Sequence, residues 1–155
     1  MNLRYINIYN NFVKLTRNKD LYKDFKARDT FSDRLIFFLL HFAFFLKIYK
    51  NDSNKKLLQE IYDYIFRQIE LSIREIGYGD QSINKKMKDY LNLFYGMIDK
   101  IHNWDDLEVE LKKRLLLSFL DNANNIDYLV KYFDKYKQFL LKNTLNLHIK
   151  GVVKH

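Results

Sequence analysis

The residues that most often carry chemistry in proteins are sparse in this sequence and form no known catalytic pattern. No two of the four histidines, His41, His102, His148 and His155, have the three- or four-residue spacing of a metal-binding pair on one helix. Cysteine is absent, which excludes disulfides, thiolate metal sites and cysteine nucleophiles. No serine lies in a GxSxG motif. The sequence therefore predicts a protein that is not an enzyme and that uses no cofactor or metal.

His41 interrupts the longest apolar run of the chain, residues 35–46. Its simplest interpretation is a core imidazole that is hydrogen-bonded to a neighbouring side chain or carbonyl. A haem or metal ligand is the alternative, although a single histidine lacks the partner ligands of such a site.

Polar residues precede that apolar run. Thr30 and Asp33 have the spacing of a capping box at the start of a helix. Asp29 and Arg34 either form an ion pair beside this cap or, together with His41, belong to a polar cluster that faces a partner.

The second polar feature is the stretch of residues 74–88, which contains two of the four glycines. Gly77 and Gly79 do not form a GxGxxG motif, and they follow a predicted helix rather than a strand, so no phosphate-binding loop is expected. Either the glycines relieve backbone strain at a corner between two helices, or the corner is an exposed cationic docking patch. The residues of that candidate patch are Arg74, Glu75, Gly77, Gly79, Asp80, Lys85 and Lys86.

The net charge is +8, from 27 basic and 19 acidic residues. A positive charge of this size favours association with RNA, the ribosome or anionic phospholipid, without choosing among them. Lys131, Lys135 and Lys142 fall on one face of a predicted helix, and a basic run covers residues 112–114. These lysines form either a solvated face or a docking surface for a polyanion.

Composition and periodicity predict a single all-α domain over residues 1–155. Proline is absent and 17% of the residues are aromatic, which disfavours turn-rich sandwiches and barrels. Ser53 is expected to begin one of the helices, and Gly77 to end it with positive φ. Apolar residues recur with the helical period and predict helices at residues 3–17, 31–49, 55–76, 80–102, 105–119 and 126–142, with a short segment at 21–25.

The second predicted helix, residues 31–49, is apolar on nearly all sides and is expected at the centre of the domain. Its apolar run of 12 residues covers about 18 Å, which is too short for a hydrocarbon core of about 30 Å. The N-terminal residues show neither a continuous apolar stretch nor a cleavage site, so no secretory signal is expected.

The sequence resembles the ubiquinol–cytochrome c chaperones, which are assembly factors of the cytochrome bc complex. The resemblance runs from about residue 21 to residue 152. REIGYGDQSI at residues 74–83 is similar to the family's REMGVGD-x-SV, and FYG at residues 94–96 is similar to its FYGR element. Met97 stands where the family usually has arginine. Asp29, Arg34 and His41 fall on the family's pattern at the start of an apolar helix.

The resemblance implies a non-enzymatic helical chaperone that binds newly made cytochrome b for assembly of the ubiquinol–cytochrome c reductase complex. An apolar groove beside residues 74–88 would hold the client, and the cationic corner would orient it. The partner-binding residues that it implies are Asp29, Arg34, His41, Arg74, Glu75, Gly77, Gly79, Asp80, Lys85, Lys86, Tyr95 and Gly96.

The ribosome, an anionic membrane surface and a second assembly factor are further expected partners, and no small-molecule substrate is expected. Without a transit peptide, the chain looks like a bacterial version of the family, located in the cytoplasm and peripheral to the inner membrane. The alternative function is a basic helical module that binds RNA or the ribosome.

Overall fold

The sequence contains no proline that would interrupt a helix. The computed structural model is accordingly helical. It describes residues 3–23, 31–121 and 123–153. All regular structure in these ranges is helical, which confirms the predicted all-α fold. The α-helices are α1 Ile6–Thr16, α2 Phe31–Tyr49, α3 Lys55–Glu75, α4 Asp80–Ile101, α5 Val109–Leu117, α6 Ile126–Leu141 and α7 Leu145–Lys150, and 3-10 turns cover Lys19–Tyr22, Asp52–Asn54 and Trp104–Asp106.

Helix α2 lies at the centre of the fold, as its sequence predicts. Five of its six phenylalanines are buried, and they contact aromatic residues of the helices around them. The Phe42 ring lies 5.1 Å from the Phe94 ring of α4, and the Phe44 ring lies 5.1 Å from the Phe133 ring of α6. Ring pairs at this separation stabilise a core beyond the area that they bury. Helices α1, α4 and α6 therefore pack around α2.

The last helix closes the fold against the first. Thr144 begins α7, because its hydroxyl oxygen accepts a hydrogen bond from the Leu147 amide at 3.2 Å. Gly151 ends α7 with a φ of +74°, and the Asn7 side chain of α1 donates to the Ile149 carbonyl at 3.1 Å. A Cβ on Gly151 would lie 2.8 Å from the Asn7 side chain. The sequence pattern left these final residues unassigned.

Three details of the predicted elements are wrong. The helix predicted at residues 105–119 is shorter: a 3-10 turn covers Trp104–Asp106, and α5 is Val109–Leu117. Ser53 does not begin α3: the Asn51 side chain accepts from the Asn54 amide at 2.7 Å and forms a 3-10 turn that precedes the helix. Leu111 has the helical spacing of a buried residue, but 46% of its surface is exposed, and Leu115 and Leu116 are the buried residues of α5.

Helix α5 ends at Leu117 and α6 begins at Ile126, and the end of α3 at Gly77 is confirmed. Thr30 lies outside the described residues, so the predicted capping box stays a prediction. No helix in the described ranges combines the length and the apolar character that crossing a bilayer requires.

Candidate functional site

Helices α3 and α4 form a hairpin whose corner contains both glycines of the 74–88 stretch. Gly77 has a φ of +98°, and its amide donates to the Arg74 carbonyl at 3.0 Å, which ends α3. Gly79 has an ordinary extended conformation with φ −75°, and its carbonyl accepts from the Ile83 amide at 2.9 Å. Only Gly77 therefore needs the conformational freedom of glycine.

An ion pair joins the two helices across this corner. Arg74 donates from Nη1 to the Asp80 carboxylate at 2.8 Å, and its Nη2 lies 3.7 Å from the Glu70 carboxylate. The hydrogen bond to Asp80 raises the pKa of the Arg74 guanidinium above its usual value. All of these groups touch solvent, so we expect the pair to orient the corner more than to stabilise the fold.

Cationic and apolar side chains are exposed together at the corner. The Lys86 ammonium lies 5.0 Å from the centre of the Tyr78 ring, in a cation–π contact. Ile76 is 52% exposed, and Glu75 and Lys85 point into solvent beside it. The corner therefore has the exposed, mixed surface that the docking interpretation requires.

A cleft of about 500 Å³ opens between α3 and α4 next to the corner. Phe66, Met87 and Leu91 supply its apolar part. Its polar lining consists of Asp63, Arg67, Glu70, Asn84, Lys88 and Asn92. A groove beside residues 74–88 is thus present, as expected from the sequence.

Tyr95 lines the same cleft further along α4. It is 56% exposed, and its hydroxyl lies 3.0 Å from the hydroxyl of Tyr62 on α3. Burial raises the pKa of Tyr62, which is partly buried against the core. Next to Tyr95, a Cβ built on Gly96 would meet nothing within 4 Å. Tyr95 and Gly96 thus form an open surface on which a partner backbone has room to approach.

His41 lies apart from this surface, in the interior of the protein. Its exposed fraction is 0%, with Nδ1 2.6 Å from the Phe37 carbonyl and Nε2 2.6 Å from the Tyr132 hydroxyl. A carbonyl only accepts, so Nδ1 donates to Phe37 and Nε2 accepts from Tyr132. Burial lowers the pKa of His41 to about 4, which keeps the imidazole neutral at physiological pH.

The core interpretation of His41 is therefore confirmed, and its assignment to a partner-binding surface is corrected, because the side chain reaches no surface. A haem iron would have to displace the Tyr132 hydroxyl from Nε2. Arg34 is exposed near the start of α2, where it lines a separate hollow of about 170 Å³ between α1, α2 and α3. Asp29 lies outside the described residues, and its pairing with Arg34 stays a prediction.

The charged residues of α3 that line the cleft are not among the site residues that the sequence predicted. Arg67 and Glu70 form an ion pair at 3.0 Å, and Glu70 also faces Arg74. Their spacing of three and four residues places these three side chains on one helix face, a signal that is visible in the sequence. Asp63 gave no such signal, because it comes to line one cleft with residues of α4 only once α3 and α4 have packed.

Comparisons with known proteins agree on one family. The sequence model described as "Ubiquinol-cytochrome C chaperone" matches residues 23–135. A crystal structure of the Cbp3 homolog from Brucella abortus is similar over 98% of this chain and 88% of that one, with a TM-score of 0.77 and 25% identity. No curated protein matches the chain significantly. Because the family match covers well over half of the residues, including all of α3 and α4, this chain belongs to the ubiquinol–cytochrome c chaperone family.

Proposed function

We propose that this chain binds newly made cytochrome b, holds it for assembly of the cytochrome bc complex, and catalyses no reaction. Family membership supports the role in assembly. The observation that carries the client-binding part is the open cleft of the α3–α4 hairpin, with its apolar lining and its exposed cationic corner. These features lie within the segment that matches the family.

The cleft can bind an apolar helix of the client in a groove that is partly shielded from water. Phe66, Met87 and Leu91 would contact its apolar side chains, and Tyr95 would cover one end. Laying an amphipathic or apolar helix into such a groove removes apolar surface from water, at roughly 25 cal/mol per Å². The client segment is thereby kept from aggregating before its partner subunits arrive.

The corner would set the direction of the client. Lys85 and Lys86 supply positive charge, and the Arg74–Asp80 pair holds the corner in place. Charges at the rim of an interface contribute more to orientation and association rate than to affinity. We therefore assign the affinity for the client to the apolar cleft, and the orientation of the bound client to the corner.

A pull-down from membranes, with the attached proteins identified by mass, tests this proposal. Unassembled cytochrome b is the expected partner, and loss of the bc complex is expected when the gene is deleted. Normal levels of the complex in the deletion strain would refute the assembly role.

A matched pair of charge reversals tests the corner. Lys85→Glu with Lys86→Glu should weaken cytochrome b binding at least several-fold, with helicity by circular dichroism unchanged. Lys50→Glu with Lys55→Glu makes the same charge change near the opposite end of the hairpin and should leave cytochrome b binding intact. Equal effects of the two pairs would show that only net charge matters. Gly79→Val is a further probe, because its extended backbone and open surroundings accept the side chain without strain.

An RNA- or ribosome-binding module is the second candidate function. Lys131, Lys135 and Lys142 support it, because they are exposed along α6 and at its C-terminal end. RNA binding that falls steeply with salt would favour this function. Cytochrome b binding that survives nuclease treatment would argue against it as the main activity.

A further inference from the structure

A second and more enclosed pocket lies at the open end of the α3–α4 hairpin, away from the corner. It is built from the last turns of α2, the first turn of α3 and the end of α4, and its volume is about 660 Å³. Helix α3 has 21 residues, which corresponds to about 30 Å of helix, so this pocket and the corner lie at opposite ends of the hairpin. The client-binding proposal does not use it.

The interior of this pocket is apolar. Its apolar lining comes from Ala43 and Leu46 of α2, Leu58 and the Tyr62 ring of α3, and Ile98 of α4. Water in contact with such side chains is released when an alkyl chain replaces it, which is favourable. The volume lies within the range of small-ligand sites. Because this pocket is more enclosed than the cleft beside the corner and has a larger apolar lining, it suits a single acyl chain.

The mouth of the pocket is cationic. Lys50 and Lys55 are exposed there and form no ion pair with any residue that the structure describes. Lys47 donates to the His102 carbonyl at 3.1 Å and lies 3.3 Å from the Asp105 carboxylate, which Lys137 also contacts. Lys47 is thus paired with Asp105, and Lys50 and Lys55 are the lining lysines that remain at the mouth, where Asp52 is the carboxylate among the lining residues.

We propose that this pocket binds an anionic phospholipid, with one acyl chain against the apolar lining and the phosphate at Lys50 and Lys55. Charge complementarity selects the head group, because a zwitterionic head would bring a quaternary ammonium next to the lysines. Bound lipid would hold the chaperone at the membrane surface. The client-binding corner would then lie about one helix length from the lipid. The inference stands independently of what the corner binds.

Calorimetric titration of the full chain with 1-palmitoyl-lysophosphatidylglycerol, below its micelle concentration, tests the pocket. The expected result is one bound lipid per chain. Lysophosphatidylcholine with the same acyl chain, and glycerol 3-phosphate without one, should each bind at least tenfold more weakly. Equal binding of the two lysolipids, or binding of several molecules per chain, would overturn the proposal.

Two charge-reversal pairs locate the bound lipid. Lys50→Glu with Lys55→Glu should weaken lysophosphatidylglycerol binding at least tenfold, whereas Lys85→Glu with Lys86→Glu should change it less than twofold. Equal losses would mean long-range attraction and would overturn the site. Methyl resonances of Leu58 and Ile98 should shift with the lipid. If a cytochrome b segment shifts them and the lipid does not, the pocket belongs to the client surface and the lipid proposal fails.

The pair that weakens lipid binding is expected to retain cytochrome b binding, and the corner pair is expected to retain lipid binding while it weakens cytochrome b binding. Failure of one proposal is therefore distinguishable from failure of the other.

Discussion

Helix α2 buries most of its large apolar side chains, whereas the α3–α4 hairpin buries one face and leaves several large apolar side chains exposed. Phe42 and Phe44 of α2 are fully buried and stack on neighbouring helices, whereas Ile76, Tyr78 and Tyr95 of the hairpin are 52%, 39% and 56% exposed. Burial of the first group stabilises the fold, while exposure of the second group does nothing for it. An aromatic-rich composition therefore serves two purposes in this chain, and the hairpin is where apolar surface remains available to a partner.

The largest expected effect comes from truncating the core. Phe44→Ala removes a ring that lies 5.1 Å from both the Phe133 and the Trp104 rings, and it should lower the free energy of unfolding by about 3–5 kcal/mol. Tyr95→Ala on the hairpin should cost less than about 1 kcal/mol, because it loses only an exposed ring and one hydrogen bond. Urea denaturation measures both. Similar losses of unfolding free energy in the two variants would contradict the difference between α2 and the hairpin.

Acid should act on the core through His41. Its pKa is about 4 when folded and 6.5 when unfolded, so the unfolded chain binds more protons between these values. This group's effect on stability is constant above pH 6.5, and about 3 kcal/mol is lost as the pH falls from 6.5 to 4.

Urea titrations at several pH values measure this loss. His41→Gln should lower stability at pH 7 but remove this part of the pH dependence. An unchanged slope in the variant would mean that other groups titrate instead.

At the corner, the two glycines should respond differently. Gly77→Ala forces a side chain into the left-handed region and should cost about 1 kcal/mol, although nothing lies within 4 Å of the new methyl group. Gly79→Ala, with its extended backbone, should be close to neutral. Melting temperatures of the two variants give the comparison. If Gly79→Ala is the more costly change, the conformation described for this corner is wrong.

The smallest effect should come from Gly96, which lies within α4 beside open space. Gly96→Ala should raise stability by somewhat less than 1 kcal/mol, because alanine has the higher helix propensity. If a client backbone approaches here, the same methyl group should weaken cytochrome b binding. Gain of stability without loss of binding would remove Gly96 from the proposed surface.

The features that the sequence predicted correctly depend on a few neighbouring residues. The apolar run of α2 predicts a central helix wherever its partners lie, and Gly77 marks a helix end through its own backbone. The apolar run around His41 indicates a core position for the same reason, although His41 was also assigned to the partner-binding surface. Its hydrogen-bond partner Tyr132 is 91 residues away and could not be identified from spacing.

The features that were missed depend on tertiary packing. Leu111 has the right period for burial, but Leu115 and Leu116 are the buried residues of the short α5. The cleft is lined by side chains of both α3 and α4, Asp63 and Lys88 among them, which come together only when the two helices pack. A 3-10 turn that Asn51 caps precedes α3, and local preference does not distinguish Asn51 from Ser53 as a capping residue.

The attachment of α7 to α1 has a consequence for synthesis. The Asn7 side chain of α1 finds its acceptor at Ile149, 142 residues further along the chain, so the ribosome makes the two partners far apart in time. During synthesis α1 therefore lacks this contact until the segment that contains α7 has been translated and has left the ribosome.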